Sequence, residues 1–409
     1  MALCLTLGVI AVVLSNLGGS VTYRLARYGY LSPVRQDSVF PHRLVKRAPS
    51  AFRFARAREQ RSDLDTITVR SPDGSAVTWA DYMRRSQVRA FLVVRNDTIL
   101  YERYLSGYTD STRSGSYSMA KSFVSVLLGI AIGRHEVRSL DDSITAYVPD
   151  LRGNPAFAGV TIRDALGMKS GLSYERMNGR TWHDLHSGDA EFYYTSHLDD
   201  AMRHMHRAAE PGGDWKYSDA DAQLLAWVLL RATGEPLAQQ LEERVWSRIG
   251  TEFDASWSLD RTGGMEKAAT GVNATLRDYA RFGRLMLHEG DWNGDQIIPR
   301  DWVLCSTTLD TLRSRPEIGT WWQMQHRAYW WIPMQDWSHE HDFFADGAKG
   351  QRLYVHRASG TIIVELADSD AQDFPFRRLT HYLLGEPYRY PLQVATAMHP
   401  GTRARGVPR

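Results

Sequence analysis

Residues 116–133 read Ser-Tyr-Ser-Met-Ala-Lys-Ser-Phe-Val-Ser-Val-Leu-Leu-Gly-Ile-Ala-Ile-Gly, a run that is apolar on nearly every side once Lys121 is passed. A helix apolar all round is a buried helix. Ser118 and Lys121, three apart, lie on one face of its first turn. That spacing suits a serine nucleophile whose proton is taken by a lysine, which must then be neutral. Burial and the positive end of the helix dipole both disfavour an ammonium there, so Lys121 is expected to titrate below its usual range. The same helix end offers backbone N–H groups to an oxyanion. The chain has six lysines, and arginine supplies its other basic residues. Arginine stays charged at working pH, so a lysine at 121 can serve as a base where the commoner residue could not. Ser-x-x-Lys also arises by accident in many helices, and only its context decides between the two readings.

The context begins with strands at both ends of the chain. Residues 90–105 alternate around Asn96-Asp97, and 352–366 alternate around Ala358-Ser359-Gly360; each reads as a β-hairpin. Helical signals lie between them, for example Asp219 to Ala232 and Leu276 to His288. An α+β fold follows, with one antiparallel sheet completed by both chain ends, flanked by helices, and a mainly helical subdomain inserted at about 140–320. Two further motifs share this frame. Tyr217-Ser218-Asp219 follows Pro211-Gly-Gly-Asp-Trp-Lys, and Gly347-Ala348-Lys349-Gly350-Gln351 precedes the late hairpin. A phenol near a lysine can hold or pass a proton, and glycines let backbone approach a substrate closely.

Taken in order, Ser118-x-x-Lys121, Tyr217-Ser218-Asp219 and the glycine-rich turn at 347–351 resemble the serine β-lactamase and penicillin-binding-protein superfamily. Val160-Thr-Ile-Arg-Asp-Ala-Leu-Gly-Met-Lys-Ser-Gly-Leu172 and Ala280-Arg-Phe-Gly-Arg-Leu-Met-Leu-His-Glu-Gly290 add to the likeness, which covers about residues 85–388. Within it the chain is most similar to the class C-like branch of D-aminopeptidases, esterases and nylon-oligomer (6-aminohexanoate-dimer) hydrolases, the last above all. The resemblance implies a hydrolase with an acyl-enzyme: Ser118 the nucleophile, Lys121 the base, Tyr217 the proton relay, and the N–H groups of Ser118 and Ala348 the oxyanion hole. It offers Gly347, Lys349, Gly350, Gln351, Asp219, Asn273 and Tyr194 as substrate-binding positions. Asp219 departs from the branch's usual asparagine and trades a donor and acceptor for an acceptor alone. Ser118-x-x-Lys121 with Ser218-Asp219 also allows a class A-like alignment with Ser218 as relay, but no matching glutamate loop accompanies it. The implied substrate is a small amide, ester or short peptide; the alternative is a membrane-tethered protein that binds peptidoglycan-like peptides and turns over little.

Composition sets outer bounds. A formal charge of +2 on 409 residues gives no pull toward nucleic acid. Cys4 and Cys305 offer neither an internal disulfide nor a thiolate metal site, and His183, His186, His204, His206, His339 and His341 form no His-Glu-x-x-His pattern. No metal or cofactor is called for. Ala2–Leu14 is an apolar run short for a spanning helix, so 1–20 reads as a signal or anchor segment, expected to place the chain in a bacterial cell envelope, with a cytoplasmic location left open. Residues 21–84, rich in arginine, read as a solvated linker and lead-in with some lipid contact. Residues 389–409 read as a disordered tail. The tryptophans at 321, 322, 330, 331 and 337 could wall an apolar cleft or simply pack under a loop.

Overall fold

Strands β1 (Val88–Arg95) and β2 (Thr98–Tyr104) pair antiparallel across Asn96 and Asp97. Both turn residues are left-handed (φ 47° and 58°), the two-residue turn whose twist matches the flanking strands. This computed structural model describes Val21, Arg24, Arg27, Tyr28 and residues 33–71, 75–176, 187–309, 318–319, 324–333, 341–369 and 375–386. The expectations for 1–20 and 389–409, and those for Trp321, Trp322, Trp337, His183, His186 and His339, lie outside the described residues.

The late strands are β3 (Met324–Arg327), β4 (Trp330–Pro333), β5 (Asp342–Gly347), β6 (Gln351–His356) and β7 (Thr361–Ala367). They run in sheet order β3-β4-β5-β6-β7-β1-β2, each pair antiparallel, with Ile318–Gly319 outside β3 and Ala55–Arg56 parallel to β2 at the far edge. The β7–β1 pairing closes the sheet from both ends of the chain. β1 is buried on both faces. Leu92 and Val94 belong to a core that includes Phe123 and Phe282, whereas Phe91 and Val93 join Trp79, Tyr82, Phe376 and Leu379. Helices therefore cover the sheet on both sides.

Helix α1 (Ala120–Gly133) is buried from Ala120 to Ala131, as its all-round apolar sequence requires. It packs with α2 (Asp219–Thr233), and α3 (Leu276–Leu287) lies on the sheet against β6 and β7. The region between also contributes strands. Ala255–Ser258 and Val272–Ala274 form a four-stranded sheet with His42–Val45 and Ser114–Gly115. That small sheet feeds the chain directly into residue 116.

The described part of 21–84 is not a solvated linker. Several of its cations are committed to the body: Arg43 Nη1 to Glu266 Oε1 at 2.7 Å, Arg56 Nη2 to Glu102 Oε2 at 3.0 Å, and Arg24 Nη1 to the Tyr194 carbonyl at 3.0 Å. Arginines whose partners lie far off in sequence look unpaired when only the sequence is read. No helix of the described residues is long and apolar enough to cross a membrane.

Candidate active site

Ser118 sits in a 3-10 turn, Tyr117–Met119, immediately before α1. The turn is pinned by the Ser116 N–H donating to the Val272 carbonyl at 2.7 Å. Tyr117 takes φ 45°, a left-handed conformation that costs a non-glycine residue on the order of 1–3 kcal/mol. Its ring is buried and stacks on Tyr193 at 5.9 Å, which holds the conformation in place. The outcome is that Ser118, alone in the turn, stays part-exposed.

Lys121, one helical turn on, is buried. Its Nζ donates to Ser118 Oγ at 2.9 Å and to the Ala269 carbonyl at 3.3 Å, and meets Asp219 Oδ1 at 2.6 Å. Burial alone would push its amine down, as the sequence suggests. The Asp219 carboxylate and Tyr217 together outweigh burial, and the ammonium is held above the ordinary lysine range. The expectation of a depressed Lys121 is thus corrected, and the cause is the residue that departs from asparagine. Tyr217 is half-buried, with Nζ of Lys121 4.8 Å from its ring centre. Ser218 is buried, and its hydroxyl has no hydrogen-bond partner among the described residues.

The glycine-rich turn lies across the nucleophile. A Cβ on Gly347 would stand 2.2 Å from the Ser116 carbonyl oxygen and 3.2 Å from the Ser118 nitrogen. Glycine is required there because β5 ends against the serine turn, bringing Ala348 beside Ser118. Lys349 is left-handed (φ 64°), as is Gly350 (φ 78°), so the chain reverses into β6.

Three of the expected substrate-binding positions make structural contacts. Gln351 is buried, and its amide donates to the carbonyls of Lys349 at 3.0 Å and Ala367 at 2.6 Å, bracing the turn. Asn273 lies inside the small sheet, donating to Ser256 Oγ and Ser258 Oγ, both at 3.1 Å, and to the Gly271 carbonyl at 3.0 Å. Tyr194 is buried with Phe40 and Tyr193, and burial pushes its phenol up. In each case a polar side chain in the interior is used by the fold.

Of the tryptophans that the sequence offers as a cleft wall, Trp330 and Trp331 are described; among the other residues here, His326 and Arg176 gave no sequence signal. Trp330 and Trp331, adjacent on β4, point to opposite faces, as strand residues do. Trp330 packs between Phe282 and Phe343 in the core, whereas Trp331 lies parallel to the Tyr217 ring at 6.3 Å. Trp215 completes this aromatic wall, 6.3 Å from both Tyr217 and Trp331. Behind it His326 accepts from Trp215 Nε1 at 3.4 Å; burial, and then the Lys121 charge, push its imidazole down to about 3. It is a neutral ring at any working pH. Arg176, on the loop after Tyr174, sets its guanidinium 4.8 Å from the Tyr217 ring centre. Among the described residues no group of three or more His, Cys, Asp or Glu is arranged to hold a metal ion.

A serine bonded to a buried lysine, a tyrosine ring beside that lysine, and a strand edge over the serine fit a β-lactamase-fold serine hydrolase. Residues 80–384 match the Beta-lactamase family, and the chain belongs to it. A 6-aminohexanoate-dimer hydrolase of Paenarthrobacter ureafaciens is 24% identical over 313 residues, 74% of this chain and 77% of that protein. A Bacillus anthracis structure, assigned provisionally by its name as a 6-aminohexanoate-dimer hydrolase, superposes with a TM-score of 0.76 at 26% identity over 87% of this chain and 94% of that one. A penicillin-binding protein of Bacillus halodurans shares the fold (TM-score 0.58, 16% identity, 74% and 98% covered).

Proposed function

We propose that this hydrolase cleaves the amide bond of short linear substrates, of the kind a 6-aminohexanoate dimer represents, through an acyl-enzyme on Ser118. The observation that carries the reading is the Lys121 amine set between Ser118 Oγ at 2.9 Å and Asp219 Oδ1 at 2.6 Å. When Lys121 is the free amine it takes the Ser118 proton as Oγ attacks the carbonyl. The ammonium that forms is stabilised by Asp219, so the carboxylate assists where charge develops. The carbonyl oxygen moves toward the N–H groups of Ser118 and Ala348. An amine leaves poorly unless protonated, and Tyr217, beside Lys121, passes it the proton. Water then attacks the acyl-enzyme with the same groups acting in reverse. The need for a leaving-group acid favours an amide over an ester, as do the names of the Paenarthrobacter and Bacillus anthracis relatives.

The test is intact-protein mass spectrometry with product analysis on an aminohexanoate dimer, a p-nitrophenyl ester, a D-alanyl peptide and a penicillin. The dimer is expected to give a transient adduct and free aminohexanoate, with neither in Ser118→Ala. Lys121→Arg should lose about 10²–10⁴-fold in rate, because a guanidinium cannot accept the proton. A lasting penicillin adduct with no amide turnover would make the protein a binder. Appreciable rate in Lys121→Arg would remove the lysine from the base role.

A further inference from the structure

Arg176 is a cation beside Tyr217 with little of its binding capacity used among the described residues. Its side chain is 54% exposed, and its one ion pair among the described residues is long, Nε to Asp189 Oδ2 at 3.8 Å. Asp189 is itself bound more closely by the Tyr174 hydroxyl, at 2.7 Å. The guanidinium lies over Tyr217 and interacts electrostatically with Asp219 and with Asp346 at the end of β5. Asp346 in turn is held by Arg352 Nε at 3.1 Å. Each of these carboxylates has a nearer partner, and among the described residues no closer partner takes up the planar donor edge of the guanidinium, which can meet a ligand. A guanidinium edge fits a carboxylate with two parallel hydrogen bonds.

Position decides which part of a substrate would meet it. Tyr217 is the residue proposed to protonate the departing amine, so the ground beside its ring belongs to the leaving group. Trp215 and Trp331 line that ground with apolar surface. We infer that Arg176 is a specificity-determining residue that binds a carboxylate carried on the leaving group, at the end of an apolar chain laid along Trp215 and Trp331. This assignment rests on the amide-hydrolase reading and adds to it the side of the scissile bond that must be anionic.

The experiment compares two amides with the same acyl group, N-hexanoyl-6-aminohexanoate and N-hexanoyl-hexylamine, in wild type, Arg176→Gln, Arg176→Lys and Ser118→Ala. A hydrogen bond to a charged group predicts that wild type favours the carboxylate substrate by about 10-fold or more in kcat/KM. In Arg176→Gln that ratio should fall toward one, mainly through KM, with Arg176→Lys between the two. A wild-type ratio near one, or a ratio unchanged in Arg176→Gln, overturns the assignment while leaving the hydrolase intact. If neither amide is turned over in a Ser118-dependent way, the amide reading itself fails and this inference falls with it. Because the side chain is exposed, thermal melting of Arg176→Gln should match wild type, so a changed ratio is not a folding effect.

Discussion

A lysine buried among carbon atoms loses its proton readily; a lysine 2.6 Å from a carboxylate keeps it. Lys121 feels both, and the carboxylate, with Tyr217 adding to it, prevails over burial. Asp219 thus has opposed effects: it lowers the fraction of free amine at neutral pH and strengthens the base that the remaining fraction supplies. Asp219→Asn should separate them. Without the anion, burial governs Lys121, so the acid limb of the kcat/KM profile should move to lower pH by about one unit or more. The high-pH plateau should fall, by about 10-fold, because nothing then stabilises the ammonium formed as Ser118 attacks. A pH–rate series on both proteins reads the two effects together. A limb that stays put would mean that Asp219 does not set the charge of Lys121. The sequence supplied Ser118, Lys121 and Tyr217 because their spacing is local or their motif is short. It could not supply the sign of the Lys121 shift, since that depends on a residue 98 positions away coming within hydrogen-bond reach.

The elements carry the second half of the site's geometry. The small sheet delivers residues 114–116 to the Ser118 turn, and β5 ends over it, so the two proposed oxyanion donors come from two elements held by different partners. Gly347 is where they touch. In Gly347→Ala the new methyl meets the Ser116 carbonyl oxygen, a backbone atom that cannot swing aside, and β5 must lift from the turn. A displacement near 1 Å at an oxyanion donor costs about 10²-fold in rate. The variant should therefore lose about that much in kcat and melt at a lower temperature, by about 1–3 kcal/mol of overpacking. Steady-state kinetics with a melting curve test it; a lowered melting point with undiminished kcat would detach this edge from the oxyanion hole. The two hairpins and α1 to α3 were legible because alternation and all-round apolarity are properties of neighbouring residues. The small sheet was not, since its strands are two to four residues long and its two outer strands pair across more than a hundred positions.

At the scale of the whole molecule the same physics explains why the 21–84 segment misleads. Arg43 and Glu266 are 223 residues apart in the chain and 2.7 Å apart in space. Where such long-range pairing is lacking, the fold carries a cost, and Lys267 shows it. This lysine is buried, donates to the Tyr193 carbonyl at 2.7 Å and lies over the Phe40 ring at 4.7 Å. Burial pushes its amine down to about 7, with Asp260 opposing the shift and Arg24 adding to it. An unfolded lysine titrates near ~10.4. Between these two values the unfolded chain holds a proton that the native chain has released, so stability rises as pH climbs through the window. Below pH ~7 the native state must bury the charge and bears the whole penalty. Lys267→Met removes the group, at the expense of one hydrogen bond to Tyr193. At pH 6 the variant should be the more stable protein, by about 1–2 kcal/mol after that bond is subtracted. Its advantage should shrink steadily toward pH 10, because wild type gains stability there and the variant does not. Thermal melts of the two proteins from pH 6 to pH 10 decide the point: a difference that does not change with pH would mean that Lys267 titrates alike in the folded and unfolded chain.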